Sequence, residues 1–241
     1  MKATLLVIFC LFASLNASSL GKFLGNIVEA FTGAPKEEKC ATVQPGHFWP
    51  NYPDIFNGFN SQWTLTKLIR FDPNTAKYLF PSNDDMGHLC ESSWNKLFGT
   101  TRCGYLDLVH EDSDRFVWRR AQSCLIYNGN YVVGEVPNCP QADQIELAAY
   151  TYDNGNIPYK NSTLLKQFKN TVTVNVWYNY TIHIQSNQTL FVLAHANGTV
   201  IESQFVVHRD CSNQNHGNLL SFYFGGECPA PQEVTACYRD K

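Results

Sequence analysis

The stretch Tyr105-Leu106-Asp107-Leu108-Val109-His110-Glu111 holds residue types that acid–base chemistry on a saccharide would use. On an extended strand Asp107 and Glu111 point to one face. Four residues at roughly 3.3 Å each set them about 13 Å apart. Carboxyl pairs that cleave glycosidic bonds stand about 5–5.5 Å apart in retaining enzymes and about 6.5–9.5 Å apart in inverting ones. The spacing argues against hydrolysis, and no catalytic residue is assigned. An eliminating lyase asks instead for a base and a group that neutralises charge. His110, Arg115, Arg119, Tyr150 and Tyr152 have suitable side chains on predicted strands. The competing reading is structural: the tyrosines fill a sheet, and the arginines pair with Glu111, Asp112 or Asp114. Ligand contact, if any, is assigned to His110, Arg115, Trp118, Tyr150 and Tyr152.

Other chemistries find less support. Glu111-Asp112-Ser113-Asp114 lacks the glycine and spacing of a calcium loop and reads as a solvated acidic turn. Asp84-Asp85 near His88 reads the same way, and Arg119-Arg120 reads as a solvated strand edge. No Cys-x-x-Cys pair occurs and the histidines are scattered, so neither a metal nor a cofactor is expected. Ser113, Ser123, Ser203 and Ser221 have no Gly-x-Ser-x-Gly surround. With a formal net charge of −3 and no basic stripe, nucleic-acid binding is excluded. Aromatic residues are the remaining hint, since saccharides stack on such rings. Trp49, Trp63, Trp94, Trp118 and Trp177 occur beside twelve tyrosines. The loop Pro45-Gly46-His47-Phe48-Trp49-Pro50-Asn51-Tyr52-Pro53 cannot be a regular strand, so its rings are expected at the surface.

The elements that must position these groups are short strands. Gln62–Phe71, Gly104–His110, Arg115–Arg119 and Ile145–Tyr152 read as strands ended by turn residues. Cys124–Tyr127 and Tyr131–Val136 flank Asn128-Gly129-Asn130, a hairpin signal. Thr171–Val176 alternates with period two. Thr181–Gln185, Thr189–Ala194 and Val200–Val207 follow, and Ser92–Phe98 is expected as a short helix. The end of the chain, Leu219–Thr235, reads as a strand, a Gly225-Gly226 turn, a Pro229-x-Pro231 crossing and a final strand. Strands about ten residues apart, without helical patterns between them, indicate an all-β antiparallel sandwich or jelly roll over residues 40–241.

The compartment follows from other signals. Residues 1–19 read as a signal peptide, with Lys2, an apolar core too short to span a bilayer, and small residues at its end. Residues 20–39 are an amphipathic helix and linker, with Leu20, Phe23, Leu24, Ile27, Val28 and Phe31 on one stripe. The eight later cysteines, Cys40, Cys90, Cys103, Cys124, Cys139, Cys211, Cys228 and Cys237, are expected as four disulfides of an exported protein. They allow on the order of a hundred pairings. Pairing Cys40 with a C-terminal cysteine would close a long loop and contribute about 3–5 kcal/mol. Sequons at Asn161, Asn179, Asn187 and Asn197 predict surface N-glycans. A secreted, extracellular protein without a transmembrane segment is the expectation.

Four segments carry a family resemblance: Asn95–Gly99, Asp114–Arg119, Ile145–Gly155 and Tyr223-Phe224-Gly225-Gly226-x-x-Pro229-Ala230-Pro231. In this order, over roughly residues 60–238, they resemble a largely uncharacterised group of secreted proteins similar to the concanavalin A-like (lectin/glucanase) β-sandwich. The resemblance implies a jelly roll and, through the fold, a glycan-related role; it carries over no catalytic residues. Glucanases of this fold place Glu-x-Asp-x-Glu, or a form with one more residue, on a concave strand, and here Asp107 alone fits. The chain also departs from the family in its extra cysteines and in the stretch just before Arg115, where the family has several histidines and this chain holds His110 alone. The leading expectation is a non-catalytic binding module for glycans. The alternatives are a lyase-type polysaccharide enzyme and a secreted structural or effector protein with a protein partner.

Overall fold

Period-two segments become two stacked antiparallel sheets in the computed structural model, which describes residues 37–50, 59–60, 64–80, 87–103, 110–129, 131–210, 217–225 and 228–240. The expected signal peptide and the expected 20–34 helix lie outside the described residues, as do residues 104–109 and the Asp84-Asp85 pair. One sheet has six strands. Their order is β1 (Lys39–Val43), β15 (Val234–Asp240), β3 (Thr64–Phe71), β11 (Tyr178–Ile184), β12 (Gln188–His195) and β13 (Val200–Val207). The second runs β10 (Val172–Thr173), β8 (Gln144–Tyr152), β5 (Ser113–Arg120), β4 (Asn95–Thr101), β14 (Gly217–Leu220) and β2 (Phe59–Asn60). β9 (Leu165–Gln167) also pairs with β8. A separate hairpin joins β6 (Leu125–Asn128) to β7 (Tyr131–Glu135). The architecture is an antiparallel β-sandwich of jelly-roll type.

Alternate residues of facing strands close the core between the layers. Phe71, Tyr180 and Phe191 from the first sheet meet Phe98, Phe116 and Trp118 from the second, all buried. Phe116 sits edge-on to Tyr180 and Phe191, a favoured aromatic geometry. Three disulfides join described cysteines: Cys40–Cys237, Cys90–Cys228 and Cys124–Cys139. Cys103 is disulfide-bonded as well. Cys40–Cys237 lies in register across β1 and β15 and closes a separation of 197 residues.

Four expectations are corrected. Ser92–Phe98 is not a helix: α1 (Gly87–Ser92) ends there, and Asn95 begins β4. The buried pairing of β4 with β5 overrides a weak local helix preference. Thr171–Val176 is not one strand. Val172–Thr173 pairs with β8, then Asn175 turns at φ 60° and its N–H donates to Phe71 O of the other sheet at 2.8 Å. The alternation there marks a crossing between layers, with Val172 and Val174 buried. Glu111-Asp112-Ser113-Asp114 is not a solvated turn. Asp112 and Asp114 are fully buried against Arg102, with Asp114 Oδ2 2.6 Å from its Nε. Nor is Arg119-Arg120 a solvated edge: Arg120 is buried, with its guanidinium on Tyr78 O and Glu135.

The sequons also divide. Asn161, Asn187 and Asn197 are exposed. Asn179 is buried at 4%, and its Nδ2 donates to His195 O at 2.8 Å and Ala196 O at 3.2 Å. A glycan on that nitrogen does not fit the folded chain.

Candidate ligand-binding site

Strand parity sorts the candidates. On β5, Phe116 and Trp118 enter the core while Val117 belongs to a separate cluster on the outer face. Arg115 and Arg119 share Val117's parity. On β8, Leu147 and Ala149 point inward, and Ala148, Tyr150 and Tyr152 point outward. Register sets Arg115 opposite Tyr150 and Val117 opposite Ala148. On β4, Lys96 pairs with Val117 and Gly99 with Arg115. Gly99 must lack a side chain: a Cβ would stand 2.1 Å from Asp114 O and 2.8 Å from Arg115 Cγ.

The C-terminal segment completes this face. Lys96 and Tyr223 exchange backbone hydrogen bonds of 2.9 and 3.0 Å. That places Tyr223 beside Lys96 while Phe224, the next residue, is buried in the core. Gly225 adopts φ +100°, where a Cβ would stand 2.3 Å from Cys228 O. Its N–H donates to Asn95 Oδ1 at 2.6 Å. Lys96 Nζ then donates to Trp94 O at 3.0 Å and to Gly225 O at 3.1 Å. The same ammonium lies 5.8 Å from the Tyr150 ring centre and 5.7 Å from that of Tyr223, within cation–π range.

Around this lysine the polar floor and aromatic rim are distinct. Arg115, Tyr150 and Tyr152 form the floor and are nearly buried. The Arg115 guanidinium lies 5.5 Å from the Tyr152 ring. Exposed His110 packs its ring 5.0 Å from that of Tyr152. Trp49, 60% exposed, meets Tyr223 edge-on at 4.5 Å. Further along the same face Arg119 covers Trp94 at 4.2 Å and pairs with Glu146 at 2.8 Å. Glu146 is the one carboxylate that β4, β5 and β8 place on this outer face, and it is already matched.

Among the described residues, no carboxylate of these three strands stands against Lys96. Burial, then the nearby Arg115 charge, pulls Lys96 down to about 7. Burial also lowers Arg115. His110 is lowered by burial and by the Arg115 and Lys96 charges. Burial pushes Tyr150 and Tyr223 up, so both hydroxyls are neutral donors at neutral pH. Such a floor can hold an anion with N–H and O–H groups while the rim stacks on apolar ring faces. Among the described residues, Glu38, Cys40 and Cys237 bring potential metal ligands together. The two sulfurs are joined to each other, leaving no thiolate for an ion.

Of the expected contacts, Arg115, Tyr150, Tyr152 and His110 come together. Trp118 does not: it is fully buried, stacked on Phe222 at 5.8 Å in the core. Arg115 and Trp118 are three residues apart on one strand, so they face opposite sides. Lys96 and Tyr223 are members that the residue-type search passed over, and Trp49, expected at the surface, joins them. The signal for the first two was present, because Asn95–Gly99 and Tyr223–Gly225 both belong to the family-like segments and meet here. Asp107 lies outside the described residues. Glu111 sits at a turn, its carboxylate near Gly155.

No family model matches the chain, and no curated protein matches it. Among solved structures it is similar to an alginate lyase from Klebsiella pneumoniae, at 10% identity and TM-score 0.39, covering 73% of this chain and 56% of that one. The chain thus spans little more than half the length of that enzyme. A β-1,3-1,4-glucanase (lichenase) from a mouse hindgut metagenome has 11% identity and TM-score 0.32, covering 84% of this chain and 77% of the other. A kappa-carrageenase from Zobellia galactanivorans has 11% identity and TM-score 0.25, covering 74% and 79%. Likenesses this distant say nothing about chemistry, and the sandwich stands on its own sheet order.

Proposed function

We propose that this protein is a secreted, non-catalytic module that binds a glycan on the outer face of the second sheet. The observation that carries the reading is the convergence there of Tyr150, Tyr152, Tyr223 and exposed Trp49 around Lys96 and Arg115. Flat rings against sugar faces, with fixed donors between them, are what a saccharide site requires. Export is supported by the disulfides and by the exposed sequons at Asn161, Asn187 and Asn197. Among the described residues no helix is long and apolar enough to cross a membrane. A glycan array followed by Trp49→Ala tests the binding reading. Selective binding that this variant weakens supports it, and a flat profile at high protein concentration rejects it.

A second reading, an eliminating lyase, is favoured by one observation: Lys96 titrates at about 7 beside Arg115, a pairing of proton acceptor and charge neutraliser. Incubation with uronate polymers would then produce ultraviolet absorbance from an unsaturated product. Binding without that absorbance leaves the non-catalytic reading standing alone.

A further inference from the structure

We infer that the ligand carries an anionic group, a carboxylate or a sulfate ester on a sugar, and that Lys96 and Arg115 hold it together. This rests on the glycan-binding reading and specifies its chemistry. Lys96 Nζ gives two of its three donors to Trp94 O and Gly225 O and lies against two tyrosine rings, so an ammonium keeps one N–H for a ligand. Among the described residues none of its partners neutralises its charge, and a half-buried cation without a counter-charge is costly. Arg115 shares the floor, opposite Gly99, where no side chain intrudes. The whole chain is formally −3, so attraction to a polyanion must arise locally, and Lys96 and Arg115 stand together on this face.

Among the described residues, the titratable groups facing Lys96 are Arg115 from β5, Tyr150 from β8, Tyr223 from the C-terminal segment and His110 from the turn before β5. Two are cationic or become so on protonation, and two are neutral hydroxyls. Burial, then the Arg115 charge, depresses Lys96 in the free protein, and a bound anion raises it again. Binding above neutrality must then take up a proton, and affinity must fall as pH rises through about 7.

Calorimetry on the full exported chain tests this with three probes: a polyuronate, its carboxyl-reduced neutral counterpart, and a sulfated galactan. The expected result is at least a tenfold preference for a charged polymer over the neutral one. Which charged polymer wins separates carboxylate from sulfate. The preference should shrink from about pH 6 to about pH 9 in the native protein. Lys96→Met should abolish it. Lys96→Arg should retain it with the pH dependence removed, which keeps the test informative if the methionine variant folds poorly. Equal affinity for the neutral polymer overturns the anionic inference and leaves glycan binding intact. No binding of any saccharide overturns both.

Discussion

Lys96 has a measurable signature apart from any ligand. Its pKa falls from an ordinary 10.5 to about 7 in the folded chain. Between those values the unfolded state holds a proton that the native state has lost, so stability rises with pH across that window. Below about 7 both states are protonated and the native state carries the full cost of the buried charge. Lys96→Met removes the titration, so its melting temperature relative to the native protein should be highest near pH 6 and decline towards pH 9, as read by thermal melts. A gap that stays level across this range would show Lys96 to be unperturbed. Asp114 is the opposite kind of residue. It is buried, paired with Arg102, and accepts hydrogen bonds from Thr151 Oγ1 at 2.7 Å and Thr189 Oγ1 at 2.9 Å. Asp114→Ala should lower unfolding free energy by about 3–5 kcal/mol, because it breaks a buried ion pair and leaves two buried hydroxyl donors without their acceptor. Urea denaturation checks it. Neither role was visible in residue type. Lys96 fell in a stretch expected as a short helix, and Asp112 and Asp114 looked like a polar turn, because burial is decided by which strands arrive alongside. Trp118 shows the converse: strand parity alone separates it from Arg115.

At the level of elements, two glycines connect sequence to site. Gly99 leaves the space that Arg115 occupies, and Gly225 makes the turn whose carbonyl receives Lys96. Gly99→Ala should cost about 1–3 kcal/mol through overpacking and weaken saccharide binding. Gly134→Ala serves as the contrast: its added Cβ would meet Ile126 Cδ1 at 4.0 Å and nothing nearer, and stability should stay within about 0.5 kcal/mol. Denaturant titration of both distinguishes close packing from a general intolerance of alanine. Most strands were legible where alternation is confined to one layer. Val200–Val207 has the bounds that its pattern indicates, and Ile145–Tyr152 gains one residue as β8. The pattern misleads where the chain passes between layers, as at Thr171–Val176, since two-sided burial mimics alternation. It is also weak at Asn95–Thr101, where the strand is set by its neighbours β5 and β14.

On the scale of the molecule, cross-links set the limits within which the sheets work. Cys40–Cys237 ties the first and last strands together. Replacing both by serine should lower stability by about 3–5 kcal/mol, mainly through the freed unfolded chain, as measured by chemical denaturation under non-reducing conditions. Cysteine count anticipated a stapled fold but left the pairing open, because spacing carries no register. Glycosylation offers an independent check on the layers. Glycopeptide mass spectrometry of exported protein should find Asn179 bare, whatever the occupancy of Asn161, Asn187 and Asn197; a glycan on Asn179 would place β11 wrongly. The most direct test of the central claim is a crystal structure with the preferred acidic oligosaccharide. The account predicts sugar density over Tyr150, Tyr152 and Tyr223, with an anionic oxygen within hydrogen-bond reach of Lys96 and Arg115. Density confined to the first sheet, or an unchanged second sheet at saturating ligand, would contradict it.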